Sequence, residues 1–432
     1  MDNDDAEKSD FDEIDFFTDD SIVGDPYPYF EHLRSTCPVL REPHQGVIAV
    51  SGYAEAVEVY RDPDTYSSCN SVTGPFPGLP VEPEGDDISD LIAEHRHVLP
   101  MHEHMVTMDP PEHTQRRQLL MRLITPKRLR DNEDFMWRLA DQQLDEFIAG
   151  GSCEFISAFA QPFGTSVIAD LLGVPEGDHR LFQKRLGIGT PGGLDADDDQ
   201  WEHLNPLEFL ETWFRTYVED RRESPKDDVL GNLAAATHPD GSIPDVLEVV
   251  RTATFLFAAG QETSARLLAC AVKYLAEEPE LQDRLRENRD VIPGFIEEAL
   301  RIESPVKSDF RLARRNTSLA GVDIPAGTTV MLLNGAANRD PERFECPAEF
   351  RADRPNVMDH IAFGRGVHAC PGGPLARAEG RISIERILDR TRDIRLSEEH
   401  HGSPGDRRFD YIPTYILRGL TELHIEFTPV EA

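Results

Sequence analysis

The chain has 432 residues, 39% of them hydrophobic and 29% charged, an ordinary globular mix with room for one large core or two or three average domains. Asp and Glu number 80 against 44 Lys and Arg, a formal net charge of -36 that repels nucleic-acid phosphates and anionic membranes. No stretch reaches the roughly 20 apolar residues that cross a bilayer, and the opening MDNDDAEKSDFDEIDFF is the opposite of a signal peptide, so the expectation is a cytoplasmic protein with neither nucleic-acid nor membrane partners.

In chain order, residues 1–22 read as an acidic, disordered, solvated tail, and 23–432 as one folded domain. Apolar periodicity begins near DPYPYFEHLRS, followed by strand-like Val39–Leu40 and GVIAV from Gly46, and by a helix from Ala54. Ser67 to Met105 is long and rich in Pro, Gly and acid, the composition of a lid over a pocket. From His113 to about Glu278 the spacing is helical, with breaks at Pro126, Gly150, Pro175 and Pro191. One helix stands out: it opens at SIPD with Ser242 as N-cap and runs to Pro279, about 34 residues or ~50 Å, with an apolar middle TATFLFAAG that demands burial. Beyond EEALR, GVDIPAGTTVMLLNG turns like a hairpin, ANRDPERFECPAEFRADRP is a proline-punctuated coil, and LTELHIEF is strand-like. No repeat or linker divides the folded part, which predicts a mainly α domain with small β-sheets (α+β) around a long central helix.

Six cysteines (Cys37, Cys69, Cys153, Cys270, Cys346 and Cys370) are scattered without a CxxC pair, so neither a disulfide framework nor a zinc cage is indicated. Only Cys370 has neighbours that promote it beyond a small buried hydrophobe. In AFGRGVHACPGG the glycines let the backbone turn tightly and lie close to a flat ligand, and the helix expected after Pro371 aims its N–H groups back at the sulfur, favouring thiolate. A second cluster, His95, His97, His102 and His104 with Glu94 and Glu103, has no compact metal-ligand spacing and reads as a polar part of the lid, with a metal site as the weaker alternative.

The run FGRGVHACPGGPLARAE resembles the cysteine-ligand loop of the cytochrome P450 family, with Phe363, Gly364, Gly366, His368, Cys370, Gly372, Leu375, Ala376, Arg377 and Glu379 in register. Even six such matches, at usages of about 5% each, arise by chance on the order of 10⁻⁸ per start position. AAGQETS is similar to the family's oxygen-binding motif, which implies that Ala259 and Gly260 leave room for dioxygen and that Glu262 and Thr263 form the acid-alcohol pair relaying protons. Glu298 and Arg301 of EEALR, with Arg354 of FRADRP, match the family's structural ExxR pair and its third member.

The resemblance implies haem b (iron protoporphyrin IX) ligated by Cys370, with propionates held by His113, Arg117, Arg311 and His368. It also implies a small apolar substrate (terpenoid, steroid, fatty acid or aromatic) lined by Phe255, Ala258, Ala259, Val306, Ser308, Asp309 and Ile416. Lys307 and Asp309 are polar departures in that wall, and the lid and residues near 180–205 are where family members vary most. The implied reaction inserts one oxygen atom of O2, with electrons from a separate ferredoxin and ferredoxin reductase, in a monomer. Arg122, Lys127 and Arg128 lie in a run free of acids, from Thr114 to Arg130, that is expected to help dock that ferredoxin. The alternatives are a peroxide-dependent peroxygenase, against which Glu262 and Thr263 speak, and a non-catalytic haem sensor, for which no output domain is evident.

Overall fold

The long helix spans Val246–Glu277 and is 32 residues in length. It starts three residues later than Ser242 because the cap is Asp245, whose carboxylate accepts from the Leu247 amide at 2.8 Å. The preceding Pro244 stays outside, its carbonyl accepting from Arg222 Nη2 at 2.7 Å. An aspartate cap also sets a negative charge against the positive helix end. Val249, Val250, Ala253, Phe257, Leu268, Ala271, Val272 and Leu275 are buried, and the helix packs against Gln161–Leu172, Glu208–Glu223 and Gly373–Arg390. The computed structural model describes residues 11–179, 193–194, 207–238 and 241–430, so Pro191 and most of the variable stretch near 180–205 lie outside the described residues.

The helices Tyr27–Thr36, Tyr53–Arg61, Glu112–Met121, Pro126–Phe147 and Ile292–Ile302 complete the helical body. Pro126–Phe147 begins as its sequence dictates, with Thr125 Oγ1 accepting from the Arg128 amide at 3.3 Å and Pro126 in the first turn, where no N–H is needed. Its apolar side faces the same core as the long helix, including Met136, Ala140 and Leu144.

The β-structure is small. Strands β1 (Val39–Arg41), β2 (Ile48–Val50), β3 (Tyr66–Ser67), β5 (Asp309–Ala313) and β8 (Thr329–Leu332) form one sheet in the order β1-β2-β8-β5-β3. Only β2 and β8 pair in parallel in it. β4 (Ser152–Glu154), β10 (His424–Pro429) and β9 (Thr391–Leu396) make a second sheet, and β6 (Thr317–Leu319) with β7 (Val322–Ile324) a hairpin. The expected hairpin within GVDIPAGTTVMLLNG is therefore corrected: its first half turns back on Thr317–Leu319 about Gly321, and its second half joins the large sheet. The turn at Pro325 to Gly327 is what separates the two halves, since Gly327 adopts φ +85°.

A second correction concerns the first 22 residues. Residues 11–22 are folded, with Phe16 and Phe17 only 1% and 2% exposed. The Phe17 ring stands edge-on to Phe76 at 5.6 Å and to Tyr415 at 5.1 Å, and Phe16 lies under Lys307 Nζ at 5.7 Å. Averaged charge hid the three large apolar side chains (Phe16, Phe17, Ile22) that bury here. The lid segment also has more structure than its composition implied, with a helix over Ser89–His95 and buried Ser67, Asn70 and Thr73: Ser67 Oγ donates to Asp109 Oδ2 at 2.5 Å, Asn70 Nδ2 to the Gly74 carbonyl at 3.2 Å, and the Thr73 carbonyl accepts from the Tyr415 hydroxyl at 2.8 Å.

Glu298, Arg301 and Arg354 meet at the centre of the coil that leads to Cys370. Glu298 and Arg301 are wholly buried and doubly bonded, Nε to Oε2 and Nη2 to Oε1, both at 2.7 Å. Arg354 Nε adds bonds at 3.0 and 3.1 Å to the two carboxylate oxygens, and the Arg351 amide a further one at 2.9 Å. The remaining guanidinium donors go to carbonyls of the coil: Asn338 and Pro347 from Arg301, Glu345, Cys346 and Glu349 from Arg354. Removing one member leaves the others charged and buried, so Glu298→Gln should destabilise the fold by about 3–5 kcal/mol. A urea midpoint within error of the unmodified protein's would contradict this.

Candidate functional site

The loop around Cys370 is shaped by two close approaches. Gly366 has φ +70°, and a Cβ there would meet the Tyr60 carbonyl oxygen at 2.1 Å, so only glycine fits. The Cys370 amide donates to the Phe363 carbonyl at 2.8 Å and closes the loop. Arg377, one turn into the helix Gly373–Arg390, stacks its guanidinium over the Phe363 ring at 4.7 Å and pairs with Glu297 at 2.5 Å. The cysteine is thus fixed between a closed loop and a helix start.

The side chain of Cys370 is exposed by its own surface, yet the surrounding crevice is dense enough that burial pushes its thiol upward. The Gly372 N–H, the Arg117 charge, the Gly373 N–H and the Arg377 charge pull the other way. Burial wins in the protein alone, and ligation is what takes a proton off such a sulfur.

Basic groups converge beside this loop. His113 and His368 lie ring to ring at 3.9 Å, and Arg117 Nη2 donates to the Ala369 carbonyl at 2.6 Å. Arg311 is 4% exposed, bonded to Asp309 Oδ1 at 2.9 Å and stacked over Tyr60 at 5.3 Å. Burial first, then Arg117, pushes the His113 imidazole down to about 4. Burial again, then Arg311, His113 and Arg117, pushes His368 down to about 2. Both His113 nitrogens, Arg117 Nη1 and His368 Nε2 are buried without a hydrogen-bond partner. A guanidinium and two neutral imidazoles, each able to turn one N–H on the same spot and left without a partner there, suit a buried dianionic group, so the residues present fit haem propionates beside a thiolate.

The long helix is least covered in its middle: Phe255, Ala258 and Thr263 are partly open and Ala259 is exposed, in an otherwise buried element. Thr263 Oγ1 donates to the Ala259 carbonyl at 2.8 Å, and Glu262 pairs with Arg266 one turn on. The two are neighbours but are not bonded to each other. Gly260 belongs elsewhere: a Cβ there would meet Ile168 at 3.2 Å, so its smallness admits the helix Gln161–Leu172.

The expected substrate wall is brought together only in part. Val306 and Ile416 share one cluster, and Val306 bridges Leu417. Ser308 is fully buried, its hydroxyl spent on the Tyr415 carbonyl at 2.5 Å, and the Asp309 carboxylate is taken up by Arg311 and the Phe310 amide. Lys307 is 3% exposed, its Nζ over the Phe16 ring. The four lid histidines do not gather. His97 and His102 bond to Glu94 and Leu99 carbonyls, while His104 is buried 3.6 Å from Glu211, and no group of three or more potential metal ligands occurs among the described residues.

One contact escaped the sequence reading. Ser264 Oγ donates to Glu379 of the cysteine-side helix, wholly inside the protein, and burial pushes the Glu379 carboxyl up to about 8. Ser264 follows Thr263 directly and Glu379 ends the cysteine motif, so both lay inside recognised stretches. Because Glu379 keeps its proton in the fold above the usual 4.5, its contribution is complete at acid pH and fades as pH rises through about 8. Glu379→Gln should therefore lose the decline in stability between about pH 4.5 and 8 that this carboxyl gives the unmodified protein; parallel stability-pH curves for the two would refute it.

A thiol aimed by helix N–H groups, a propionate-like cradle and a long helix with an opened middle define a haem-thiolate monooxygenase. The sequence model described as Cytochrome P450 matches residues 208–392. Cytochrome P450 144 of Mycobacterium tuberculosis is 34% identical over 385 residues, covering 89% of this chain and 86% of that one. The steroid C26-monooxygenase of Mycolicibacterium smegmatis is 30% identical over 403 residues, covering 93% and 92%. Among solved structures, substrate-free CYP150A6 of Mycobacterium marinum superposes with TM-score 0.92 at 60% identity, covering 98% of this chain and 100% of that one. CYP109E1 of Bacillus megaterium in complex with testosterone gives 0.77 at 29% identity, covering 93% and 99%. The chain belongs to the cytochrome P450 family, is a monooxygenase with the single-domain fold of that family, and takes haem b with iron held through a cysteine thiolate. No helix among the described residues is long and apolar enough to cross a membrane.

Proposed function

We propose that Cys370 is the thiolate ligand and that the enzyme inserts one oxygen atom of O2 into a neutral, largely apolar skeleton of steroid or terpenoid size. The observation that carries this is the meeting of the Cys370 loop with the four partnerless nitrogens of His113, Arg117 and His368. The steroid preference draws on the names of two relatives, the C26-monooxygenase and the testosterone complex. When bound, the thiolate-ligated haem supplies oxygen activation and O–O cleavage.

The chain's own residues do the rest. Arg117 and Arg311 would neutralise the propionates, and the neutral His113 and His368 rings would each donate one N–H to them. Phe255, Ala258 and Ala259, with Val306 and Ile416, exclude water and orient the substrate. Thr263 and Glu262 deliver protons, which requires Thr263 Oγ1 to leave the Ala259 carbonyl and Glu262 to swing from Arg266. Glu262 is 34% exposed, so it has solvent on one side from which to reload.

Electrons come from a separate ferredoxin and its reductase, to a monomer in the cytoplasm. Arg122 and Lys127 are exposed, with Arg122 Nη2 donating to the Thr237 carbonyl at 2.9 Å and Lys127 Nζ pairing with Asp131 Oδ2 at 3.1 Å; Arg128 is half-buried, with Nη1 unpartnered, and serves the fold as much as the surface. Cys370→Ser should abolish the long-wavelength band of the reduced, carbon-monoxide-treated protein and all turnover. Thr263→Ala should keep that band and NADH consumption but lower product per NADH by roughly a hundredfold, the lower end of what loss of a proton-transfer group costs. Reversing Arg122 and Lys127 together should slow reduction by ferredoxin at low salt and flatten its salt dependence, with binding of small ligands unaltered; an unchanged rate would remove this docking face from the account.

A further inference from the structure

The EEALR stretch carries two carboxylates, and the ion cluster that fixes the coil uses only Glu298. Glu297, 4% exposed, turns to other partners. Arg377 of the cysteine-side helix donates from Nε and Nη2 to its two oxygens at 2.5 and 3.0 Å, and His360 Nε2 lies 2.9 Å from Oε2. The Ala362 amide donates to His360 Nδ1 at 3.2 Å, so the ring is neutral and its one proton, on Nε2, goes to Glu297. Burial alone pushes the Glu297 carboxyl up; the donors from His360 and Arg377 more than reverse that and hold it down to about 2. The three side chains thus make one ion pair and one neutral donor, with no net charge.

Both partners of Glu297 flank Phe363, the residue that closes the cysteine loop. The Arg377 guanidinium stacks 4.7 Å from the ring centre, the His360 ring stands 5.8 Å away, and the Phe363 carbonyl accepts from the Cys370 amide at 2.8 Å. One carboxylate therefore holds both groups that clamp the loop. It also governs a charge, because the Cys370 sulfur feels Arg377 alongside the Gly372 N–H, Arg117 and the Gly373 N–H. Of the two guanidiniums, Arg117 is balanced by a propionate in the reading above. The counter-charge of Arg377 is Glu297, supplied by the protein itself. A unit charge uncovered ~10 Å from a centre, at an effective dielectric near 20, biases an equilibrium there by roughly tenfold. Arg377 is 38% exposed, so water screens part of this and leaves about threefold.

We propose that Glu297 is a positioning residue for the thiolate: by pairing with Arg377 it cancels a positive charge that otherwise bears on the Cys370 sulfur, and so keeps the reduction potential of the bound haem iron low. This rests on the reading of Cys370 as the ligand and deepens it. Reduction adds one negative charge to the centre, so an uncancelled cation beside the sulfur favours the reduced state.

The test measures the one-electron reduction potential of the haem-loaded enzyme against dyes of known potential, at neutral pH and low salt. Glu297→Gln should raise the reduction constant about threefold, ~28 mV at 59 mV per factor of ten. Adding Arg377→Gln should return the potential to that of the unmodified enzyme, although the double variant has lost the clamp altogether. A role in packing alone would make the second substitution add to the first. Should Glu297→Gln fail to fold, the Arg377 variants decide: Arg377→Lys keeps the charge and leaves the potential in place, whereas Arg377→Gln leaves Glu297 unbalanced and lowers it. An unmoved or lowered potential in Glu297→Gln, a double variant that does not return, or equal potentials for Arg377→Lys and Arg377→Gln would each overturn the role. The reduced carbon-monoxide band of the unmodified enzyme separates the two readings: its absence at long wavelength defeats the thiolate assignment and this role with it, whereas its presence with unmoved potentials defeats only the role of Glu297.

Discussion

The structure depends on one carboxylate taken wholly out of water. Glu298 accepts from two guanidiniums and a backbone amide, and the spare donors of those guanidiniums reach five carbonyls of the coil between Asn338 and Glu349. A coil has no ladder of its own to satisfy its carbonyls, so charged side chains from a helix and from the coil itself substitute for one. The consequence is a length of irregular chain as well fixed as a sheet. It ends at the loop where Gly366 lies against Tyr60, and so the position of the Cys370 sulfur is inherited from an ion cluster whose Glu298 and Arg301 stand more than sixty residues earlier in the chain.

Burial also divides the labour of the two long helices that face each other. The helix Gly373–Arg390 presents N–H groups to sulfur at its start and a protonated carboxyl, Glu379, to Ser264 farther along. The long helix is covered nearly throughout yet left open at Ala259. Gly260 allows that opening indirectly, because close approach of Ile168 holds the helix against its neighbour on one side while the other side stays uncovered.

The site was more legible in the sequence than its surroundings. Cys370, the glycines before it and the Glu298–Arg301 spacing are short-range signals, set by local geometry that tolerates few alternatives. The helix start at Asp245, the strand pairings of Val322–Ile324 and Thr329–Leu332, and the burial of Phe16 and Phe17 depend on partners far along the chain, and no window of composition contains those partners. The polar residues after Arg301 failed for the same reason. Ser308 and Asp309 have the chemistry of substrate anchors, but Tyr415 and Arg311 claim them first. The histidines of the lid read as a polar part of it, with a metal as the weaker alternative, and in space only His104 is buried, where it meets acids and arginines of other segments.

The packing of residues 11–22 changes what counts as the edge of this molecule. Phe16 and Phe17 wedge between the first helix, Phe76 of the lid, and the Phe310 and Tyr415 rings of the far strand and turn. A shortened chain beginning at the first helix would leave that aromatic socket wet and bring water to Lys307, producing an adhesive particle in place of a minimal enzyme.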